Sequence, residues 1–346
     1  MRDALAKPSG PILGSEVAAL TQLIAFDRGI TDLSGVECLI SMTWLFATTN
    51  QITDLSPLAG LPLVQIDLGS NLLSDLSPLA GITSLIKLTI STNPITSLAP
   101  LSSLTELRSL YANNIAIDSL GPLEGLTGMR TLQVRDMTIS NLSPLAGLVA
   151  LKELDVSQNP VSDLTPLGAL TDMENLDLRY CDVVSLEGLE GMTKLTTLLL
   201  HSNAITDITA IAGATLVTFL NLSDNDISDL SPLSGMVLLE DLHLSQGSFT
   251  DLSPLAGMTK LVNLTASFTP ALTSLAGLEG LVSLNKLVLL SDSITDLTPL
   301  VNNPGLADGD SVSLYGNPLD CPAQAANIAT LTGRGVSLTT DCGGGF

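Results

Sequence analysis

Apolar residues recur along this chain with a period of 22 residues. Each unit aligns on one apolar anchor residue that precedes a phrase of the type T-D-L-S-P-L. The anchors are Ile30, Ile52, Leu73, Ile95, Ile117, Ile139, Val161, Val183, Ile205, Ile227, Phe249, Leu272 and Ile294. A fourteenth, atypical unit ends at Leu319, and the step from Phe249 to Leu272 carries one extra residue. This period predicts a repeat protein in which each unit packs mainly on its neighbours.

Within a unit the polar and apolar positions predict one short strand. The pattern is L-x-x-L-x-L-x-x-N-x-I, and the L-x-L part alternates with the period of two that is typical of β-structure. Leu154 and Val156 are such a pair. Stacked units would form a parallel sheet over a continuous leucine and isoleucine core. We therefore predict an α/β solenoid with a parallel β-sheet on its concave face.

Asparagine recurs two residues before the anchor. It does so at Asn50, Asn71, Asn93, Asn159, Asn203, Asn225 and Asn317. Because its amide both donates and accepts, a stacked column can satisfy backbone groups where each strand turns away. Ile115, Met137, Cys181 and Gly247 take this place in four other units. We expect the column to be weaker there.

A small polar residue stands two residues after every anchor. The thirteen residues are Asp32, Asp54, Asp75, Ser97, Ser119, Asn141, Asp163, Ser185, Asp207, Asp229, Asp251, Ser274 and Asp296. These residue types are preferred as N-caps, and a proline follows in nine units, as Pro57 does. We expect a capped 3-10 turn or short helix on the convex side. A calcium ladder is disfavoured, since one carboxylate per unit is far from the six to eight oxygens that calcium takes.

Units such as L-K-E-L-D-V-S-Q-N-P-V-S-D-L-T-P-L (151–167) resemble the 22-residue class of bacterial internalin-like leucine-rich repeats. The resemblance implies a leucine-rich-repeat horseshoe capped at both ends. It divides the chain into an N-terminal cap with a partial helix (1–19), about 13 repeats (20–305) and an atypical last repeat with a C-terminal cap (306–346). No immunoglobulin-like domain or wall-anchoring segment is recognisable, so adhesion to a host receptor is implied by the family alone.

The segment 315–342 is similar to the cysteine-containing C-terminal caps of extracellular repeat proteins. The similarity implies a disulfide between Cys321 and Cys342, and hence an oxidising compartment. The alternative is a pair of free thiols in a cytosolic chain. Cys38 and Cys181 are expected to be small buried residues, and no cysteine or histidine spacing indicates a zinc site.

The formal net charge of −22 disfavours two classes of binding partner. Nucleic acid and anionic membranes are disfavoured because both require clustered Lys and Arg. No apolar run approaches the ~18 residues of a membrane span. The N-terminus lacks the apolar stretch of a signal peptide, so the protein is either cytosolic or has lost its leader. With the implied disulfide we expect a secreted or cell-surface protein.

Candidate binding residues lie at the three outward positions of each strand segment. Six of the ten aromatics fall there, namely Phe26, Trp44, Phe46, Tyr111, Phe219 and Tyr315. Exposed aromatics are enriched at interfaces. The first three could instead pack beneath the N-terminal cap. We therefore predict a central ligand-binding surface comprising Tyr111, Arg135, Asp155, Asp177, Arg179, Tyr180, His201, Phe219, His243 and Phe268.

The size and charges of this surface indicate the partner. At about 4.8 Å per strand it would extend roughly 35 Å, which suits a protein or an oligosaccharide. Arg135 and Arg179 are placed to compensate Asp155 and Asp177; a bound cation is the other possibility for this cluster. A protein partner is favoured by aromatics mixed with both signs of charge. A carbohydrate ligand, or a passive spacer role in a larger surface protein, remains the alternative.

No pattern indicates catalysis. His201 and His243 are the only histidines and would stand two strands apart, too far to share a metal ion. The sequence contains neither a G-x-S-x-G elbow nor a phosphate-binding glycine motif. We therefore predict a non-enzymatic module without cofactor or metal.

Overall fold

The computed structural model describes residues 14–343. The chain divides into two compact units, unit 1 within Met1–Val161 and unit 2 within Ser162–Phe346. Each unit is built from the predicted repeat. The N-terminal cap was predicted over residues 1–19. Residues 1–13 lie outside the described part, which begins with a short helix, α1 (Gly14–Val17).

In residues 14–161, unit 1 contains seven three-residue strands that pair in parallel in chain order. They are β1 (Gln22–Ile24), β2 (Trp44–Phe46), β3 (Gln65–Asp67), β4 (Lys87–Thr89), β5 (Ser109–Tyr111), β6 (Thr131–Gln133) and β7 (Glu153–Asp155). The turns between them contain 3-10 segments at Val36–Cys38, Ser56–Leu58, Ser77–Leu79, Ala99–Leu101, Gly121–Leu123 and Ser143–Leu145.

Unit 2 continues the pattern with eight parallel strands. They are β8 (Asn175–Asp177), β9 (Thr197–Leu199), β10 (Phe219–Asn221), β11 (Asp241–His243), β12 (Asn263–Thr265), β13 (Lys286–Val288), β14 (Ser311–Ser313) and β15 (Ser337–Thr339). Its 3-10 segments are Thr165–Leu167, Thr209–Ile211, Ser231–Gly235, Ser253–Leu255 and Leu278–Gly280, and its helices are α2 (Thr298–Val301) and α3 (Cys321–Gly333). The predicted fold class of parallel strands alternating with short 3-10 turns is confirmed.

The core consists of the apolar positions of the repeat. In one repeat of unit 2 the buried side chains are Leu198, Leu200, Ile205, Ile208, Ile211, Ala214 and Val217. The middle residue of each strand points inward, and its two neighbours face outward, because successive strand side chains alternate between the two faces. The first and third residues of each strand are therefore free to vary between repeats. The residue after each of the strands β1–β14 is buried, and the residue that follows it is again free to vary.

The asparagine column forms the hydrogen bonds that its position predicts. Asn225 Oδ1 accepts the N–H of Ile205 at 3.0 Å, and its Nδ2 donates to the carbonyls of Leu200 and Leu222, each at 3.0 Å. We call each side chain of this column a rung. Every rung thus joins its own turn to the preceding turn of the stack. Gly247 interrupts the column for a steric reason. A Cβ atom at this position would collide with the ring of Phe249.

Ile115 and Met137 interrupt the column in two successive repeats of unit 1. Both residues line an open depression of about 510 Å³, together with the acidic residues Asp118 and Asp136.

The small polar residues after the anchor act one position earlier than predicted. The 3-10 segment Ser56–Leu58 has Leu55 as its N-cap, and no side chain caps it there. Asp54 instead accepts the N–H of Ser56 at 2.8 Å, which is an Asx-turn at the entry to the segment. The N-cap prediction was therefore wrong in position. The physical role, an acceptor for the first free N–H group, is retained.

The C-terminal cap contains the predicted disulfide. Cys321 and Cys342 are bonded, which ties the start of α3 to the segment after β15. Asp320 caps α3 by accepting the N–H of Ala323 at 3.2 Å. Cys181 is buried as expected, but Cys38 is exposed, and that expectation was wrong. Cys38 ends its 3-10 segment between the exposed Glu37 and the buried Leu39.

Candidate functional site

Five aromatic and imidazole side chains of unit 2 stand at or just after consecutive strands. They form what we call the unit 2 aromatic surface, made of Tyr180, His201, Phe219, His243 and Phe268. The strand register places Asn221 beside His243 and Phe219 beside Asp241. All five were predicted as candidate contacts. Phe219 begins β10 and His243 ends β11, whereas Tyr180, His201 and Phe268 lie in the turns after β8, β9 and β12.

Two ring contacts organise this surface. The rings of Tyr180 and His201 meet edge to face with centroids 5.1 Å apart, and those of Phe219 and His243 are tilted with centroids 5.5 Å apart. Such geometries are favourable for aromatic pairs. The histidine rings are partly buried, whereas Tyr180 is 56% exposed. His201 therefore packs against an exposed ring, and His243 packs against Phe219, which is itself partly buried.

Burial lowers the pKa of both histidines below the usual value. For His201 the positive charge of Arg179 lowers the pKa further, and for His243 the nearby Asp241 opposes the effect of burial. Both imidazoles are thus neutral at pH 7. His201 Nδ1 is buried and has no hydrogen-bond partner within residues 14–343. At neutral pH the surface presents uncharged rings.

Tyr180 and Phe268 occupy a special backbone position. One residue of nearly every repeat, in the turn that follows the strand, has a left-handed conformation. In the other repeats that have such a residue it is polar: Asp27, Thr49, Ser70, Thr92, Asn114, Asp136, Gln158, Ser202, Asp224, Gln246 and Ser291. Only Tyr180 (φ 52°) and Phe268 (φ 58°) are bulky and apolar among these residues of the described chain. Left-handed conformations are unfavourable for large side chains.

Arg179 and Asp177 form the ion pair that was predicted for this part of the surface. Arg179 Nη2 lies 2.6 Å from Asp177 Oδ2, and its Nε donates to Oδ1 at 2.8 Å. The pair is partly buried. It holds a charged, bidentate group next to Tyr180, and no cation is needed to explain the position of these charges.

The predicted site residues of unit 1 form a different arrangement. The Lys87 ammonium lies 5.1 Å from the centre of the Tyr111 ring. Burial, and after it the charge of Glu153, raises the pKa of Tyr111. Asp155 accepts hydrogen bonds from the N–H and the hydroxyl of Ser157 at 3.0 and 2.6 Å.

Arg135 does not pair with Asp155. Its backbone N–H donates to Asn113 Oδ1 at 3.1 Å and its carbonyl accepts the N–H of Asn114 at 3.0 Å, but its guanidinium forms no ion pair with Asp155 within residues 14–343. The predicted compensation was therefore wrong in this unit. A serine two residues further along the chain satisfies the carboxylate locally.

The first two strands of unit 1 carry a second apolar surface, which the sequence analysis did not favour. It comprises Ile24, Phe26, Trp44 and Phe46. Phe26 is 60% and Trp44 46% exposed, and the Trp44 and Phe46 rings meet edge to face at 6.4 Å. The alternative that these rings pack beneath the N-terminal cap is wrong for Phe26 and Trp44. Their outward positions in the repeat were the signal that could have identified them.

Neither a metal-ligand cluster nor a membrane-spanning helix is found in residues 14–343. No cluster of three or more His, Cys, Asp or Glu side chains in this range could hold a metal ion. No described helix is long and apolar enough to cross a membrane.

Comparison with known structures places the fold. An internalin (inlF) from Listeria monocytogenes is similar, with a TM-score of 0.81, 27% identity, and coverage of 88% of this chain and 91% of the internalin. The InlJ functional domain from the same organism gives a TM-score of 0.65 at 22% identity, with 87% of this chain and 76% of InlJ covered. A leucine-rich-repeat protein from Leptospira interrogans gives a TM-score of 0.67 at 18% identity, with 94% of this chain and 97% of the Leptospira protein covered. No protein-family model and no curated protein matches the chain.

The repeated strand, the asparagine column and the 3-10 turns define a leucine-rich-repeat protein. Within that class the chain is similar to the Listeria internalin inlF, and the InlJ and Leptospira structures share its leucine-rich-repeat fold.

Proposed function

We propose that this protein is a non-enzymatic recognition module that binds a protein partner mainly through the unit 2 aromatic surface. One observation carries the proposal. Tyr180 and Phe268 are large, more than half exposed, and held in left-handed turns where the other repeats have polar residues. Neither solvent exposure nor local backbone preference favours these side chains, and such conflicts concentrate at functional sites.

The dimensions support a macromolecular partner. Tyr180 follows β8 and Phe268 follows β12, so they stand four strand intervals apart, about 19 Å at the usual strand spacing. Open rings at both ends and the Asp177–Arg179 ion pair provide apolar contact with a polar margin, the usual anatomy of a protein interface.

Other proteins of this fold bind protein ligands. The leucine-rich-repeat ectodomain of the Arabidopsis thaliana receptor kinase GASSHO1/SCHENGEN3 was solved in complex with CASPARIAN STRIP INTEGRITY FACTOR 2, and the plant peptide hormone receptor RGFR1 with RGF2. Both are under 20% identical to this chain, so they support the use of the fold for recognition and nothing finer.

We further propose that the protein works outside the cytosol. The disulfide between Cys321 and Cys342 supports this location, because such bonds persist in oxidising compartments. Thiol titration of denatured, unreduced protein isolated from its native source would give two thiols per chain, from Cys38 and Cys181. Four thiols would place the chain in a reducing compartment.

The binding proposal is tested with three matched baits. The first is the unaltered protein, the second carries Tyr180→Asn and Phe268→Asn, and the third carries Tyr315→Ala as an exposed-aromatic control from the same unit. Each is used for cross-linking capture from a surface proteome, with quantitative mass spectrometry, and for a glycan array.

We expect proteins that the unaltered and Tyr315→Ala baits enrich and the double variant does not. Enrichment that the double variant retains would overturn the role of this surface. Binding confined to the glycan array would establish the carbohydrate alternative, and the absence of binding in both formats would favour the spacer alternative.

A further inference from the structure

The asparagine column contains one acid, which occupies a regular rung position. Asp292 stands two residues before the anchor Ile294, where seven other units have Asn. In the next rung, Asn317 Oδ1 accepts the N–H of Ile294 at 3.0 Å, and Nδ2 donates to Leu289 and Leu314 at 2.7 and 2.9 Å. A rung therefore needs one acceptor atom and one donor atom.

Asp292 supplies only the acceptor when it is ionised. Its Oδ1 accepts the N–H of Thr269 at 2.7 Å. Its Oδ2 is buried without a hydrogen-bond partner among residues 14–343, as is the Thr269 hydroxyl. The residue is only 6% exposed. An ionised carboxylate has no proton to donate, whereas a protonated acid has one and matches the amide of Asn in shape.

The bond of Asp292 is made to the turn that contains the extra residue. In a regular rung the acceptor receives the anchor N–H. Here the anchor Leu272 donates to the Thr269 carbonyl at 2.9 Å, and the rung receives the N–H of Thr269 instead. Phe268 is the preceding residue, and its own N–H donates to the Leu290 carbonyl at 2.7 Å. These two hydrogen bonds, with those from Leu290 N–H to Ser267 Oγ and from Ser293 to Pro270 and Leu272, attach the turn that presents Phe268 to the segment around Asp292.

The surroundings of Asp292 provide no compensating charge. The adjoining segments 265–272 and 313–319 contain one titratable residue, Tyr315, which is exposed. Its own segment, 289–294, contains no other titratable residue. Burial raises the pKa of Asp292 to about 7, and the Thr269 N–H opposes this only partly. The rung can therefore change its protonation state near neutral pH.

We propose that Asp292 is a proton-dependent rung whose ionisation loosens the turn bearing Phe268. When protonated, the acid completes the column as a donor and fixes the turn. When ionised, it places a buried, negatively charged oxygen where the other rungs have their donor, and the turn moves to hydrate it. If Phe268 is a contact, as the proposed function holds, partner binding is then weakened above neutral pH.

A single tryptophan in the turn tests the inference without any partner. Trp44 is the only native tryptophan, so Trp44→Phe together with Phe268→Trp places the sole reporter beside Thr269. Emission is recorded from pH 5.5 to 8.5. We expect a titration with its midpoint near pH 7. The same protein with Asp292→Asn is expected to show no titration, and Asp296→Asn, an exposed acid nearby, is expected to leave it unchanged.

Hydrogen–deuterium exchange of a peptide covering 265–274 provides a second measurement on the otherwise unaltered chain. After correction for the intrinsic pH dependence, we expect exchange to rise between pH 6 and 8 in the native protein, and the rise to be absent with Asp292→Asn. Equal behaviour of the two proteins in both measurements would overturn the inference. If no partner binds at this surface, the proposed function is overturned, and the titration of Asp292 is unaffected.

Discussion

The ring of Tyr180 meets the ring of His201 edge to face, with centroids 5.1 Å apart and planes inclined at 82°. This contact fixes a side chain whose backbone would prefer a smaller, polar residue. The histidine below it is neutral because burial and Arg179 lower its pKa. Ring packing, and not charge, therefore determines the position of Tyr180 at neutral pH.

Tyr180→Asn is expected to separate stability from recognition. Asn tolerates the left-handed conformation, which offsets the lost ring contact of about 0.5–1.5 kcal/mol. We expect the free energy of unfolding to change by less than about 1 kcal/mol in a urea titration, while partner capture is lost. A loss of stability well beyond this range would show that Tyr180 has a structural role.

Asn225→Ala is expected to destabilise unit 2 strongly. The substitution leaves the buried N–H of Ile205 and the carbonyls of Leu200 and Leu222 without this side-chain partner. At about 1–3 kcal/mol for a buried unsatisfied group, we expect a loss of roughly 3 kcal/mol in urea unfolding. The exposed Asn302→Ala is the control and should be nearly neutral. Similar midpoints for both variants would refute the structural role of the column.

The scaffold could be predicted from the sequence because its requirements repeat. The anchors, the asparagine column and the inward leucines each recur many times, so each interpretation was tested within the chain itself. Asp292 lies in the same register, yet the composition gives no sign that its second oxygen lacks a partner. That property depends on the extra residue before Leu272, which moves the bond from the anchor to Thr269.

The candidate site was predictable in its members and not in its geometry. The pattern indicates that Tyr180, Phe268 and Trp44 stand outside the core. It does not specify which of them lie in left-handed turns or remain exposed, since these properties depend on the hydrogen bonds of the turn. Likewise, Arg135 and Arg179 occupy equivalent positions, but only Arg179 pairs with an acid, because the strand residue two positions before it is Asp177, whereas Arg135 follows Gln133.

Reduction of the disulfide is expected to loosen the C-terminal cap. The bond closes a loop with a sequence separation of 21, and loops of this size contribute about 3 kcal/mol on the chain-entropy model. We expect faster hydrogen exchange in α3 and β15 of the Cys342→Ala variant, with little change around β9 and β10. Cys38→Ser, at an exposed free thiol, is the control. Unchanged exchange in the cap would mean that packing alone holds it.

Asp292→Asn is expected to stabilise the protein at high pH and to have little effect at low pH. The folded-state pKa of about 7 lies above the ordinary value of 3.8, so the folded chain retains a proton that the unfolded chain releases. The contribution of this proton to the free energy of unfolding is fully present below about pH 4 and is lost as the pH rises to 7. Between pH 5 and 8 the advantage of the variant should therefore grow by roughly 3 kcal/mol, at 1.36 kcal/mol per pKa unit.

Urea unfolding of both proteins at intervals from pH 3 to 8.5 checks this expectation. Below pH 4 the two curves should fall together. Both proteins share Asp54 and five other turn aspartates whose pKa is lowered by hydrogen bonds from the turns. The stability that these aspartates contribute is lost only as the pH falls through their lowered pKa values. Asp296→Asn should follow the native curve around neutral pH. A constant difference between Asp292→Asn and the native protein across this range would show that Asp292 stays ionised in its rung, because an ionised acid binds no additional proton on folding.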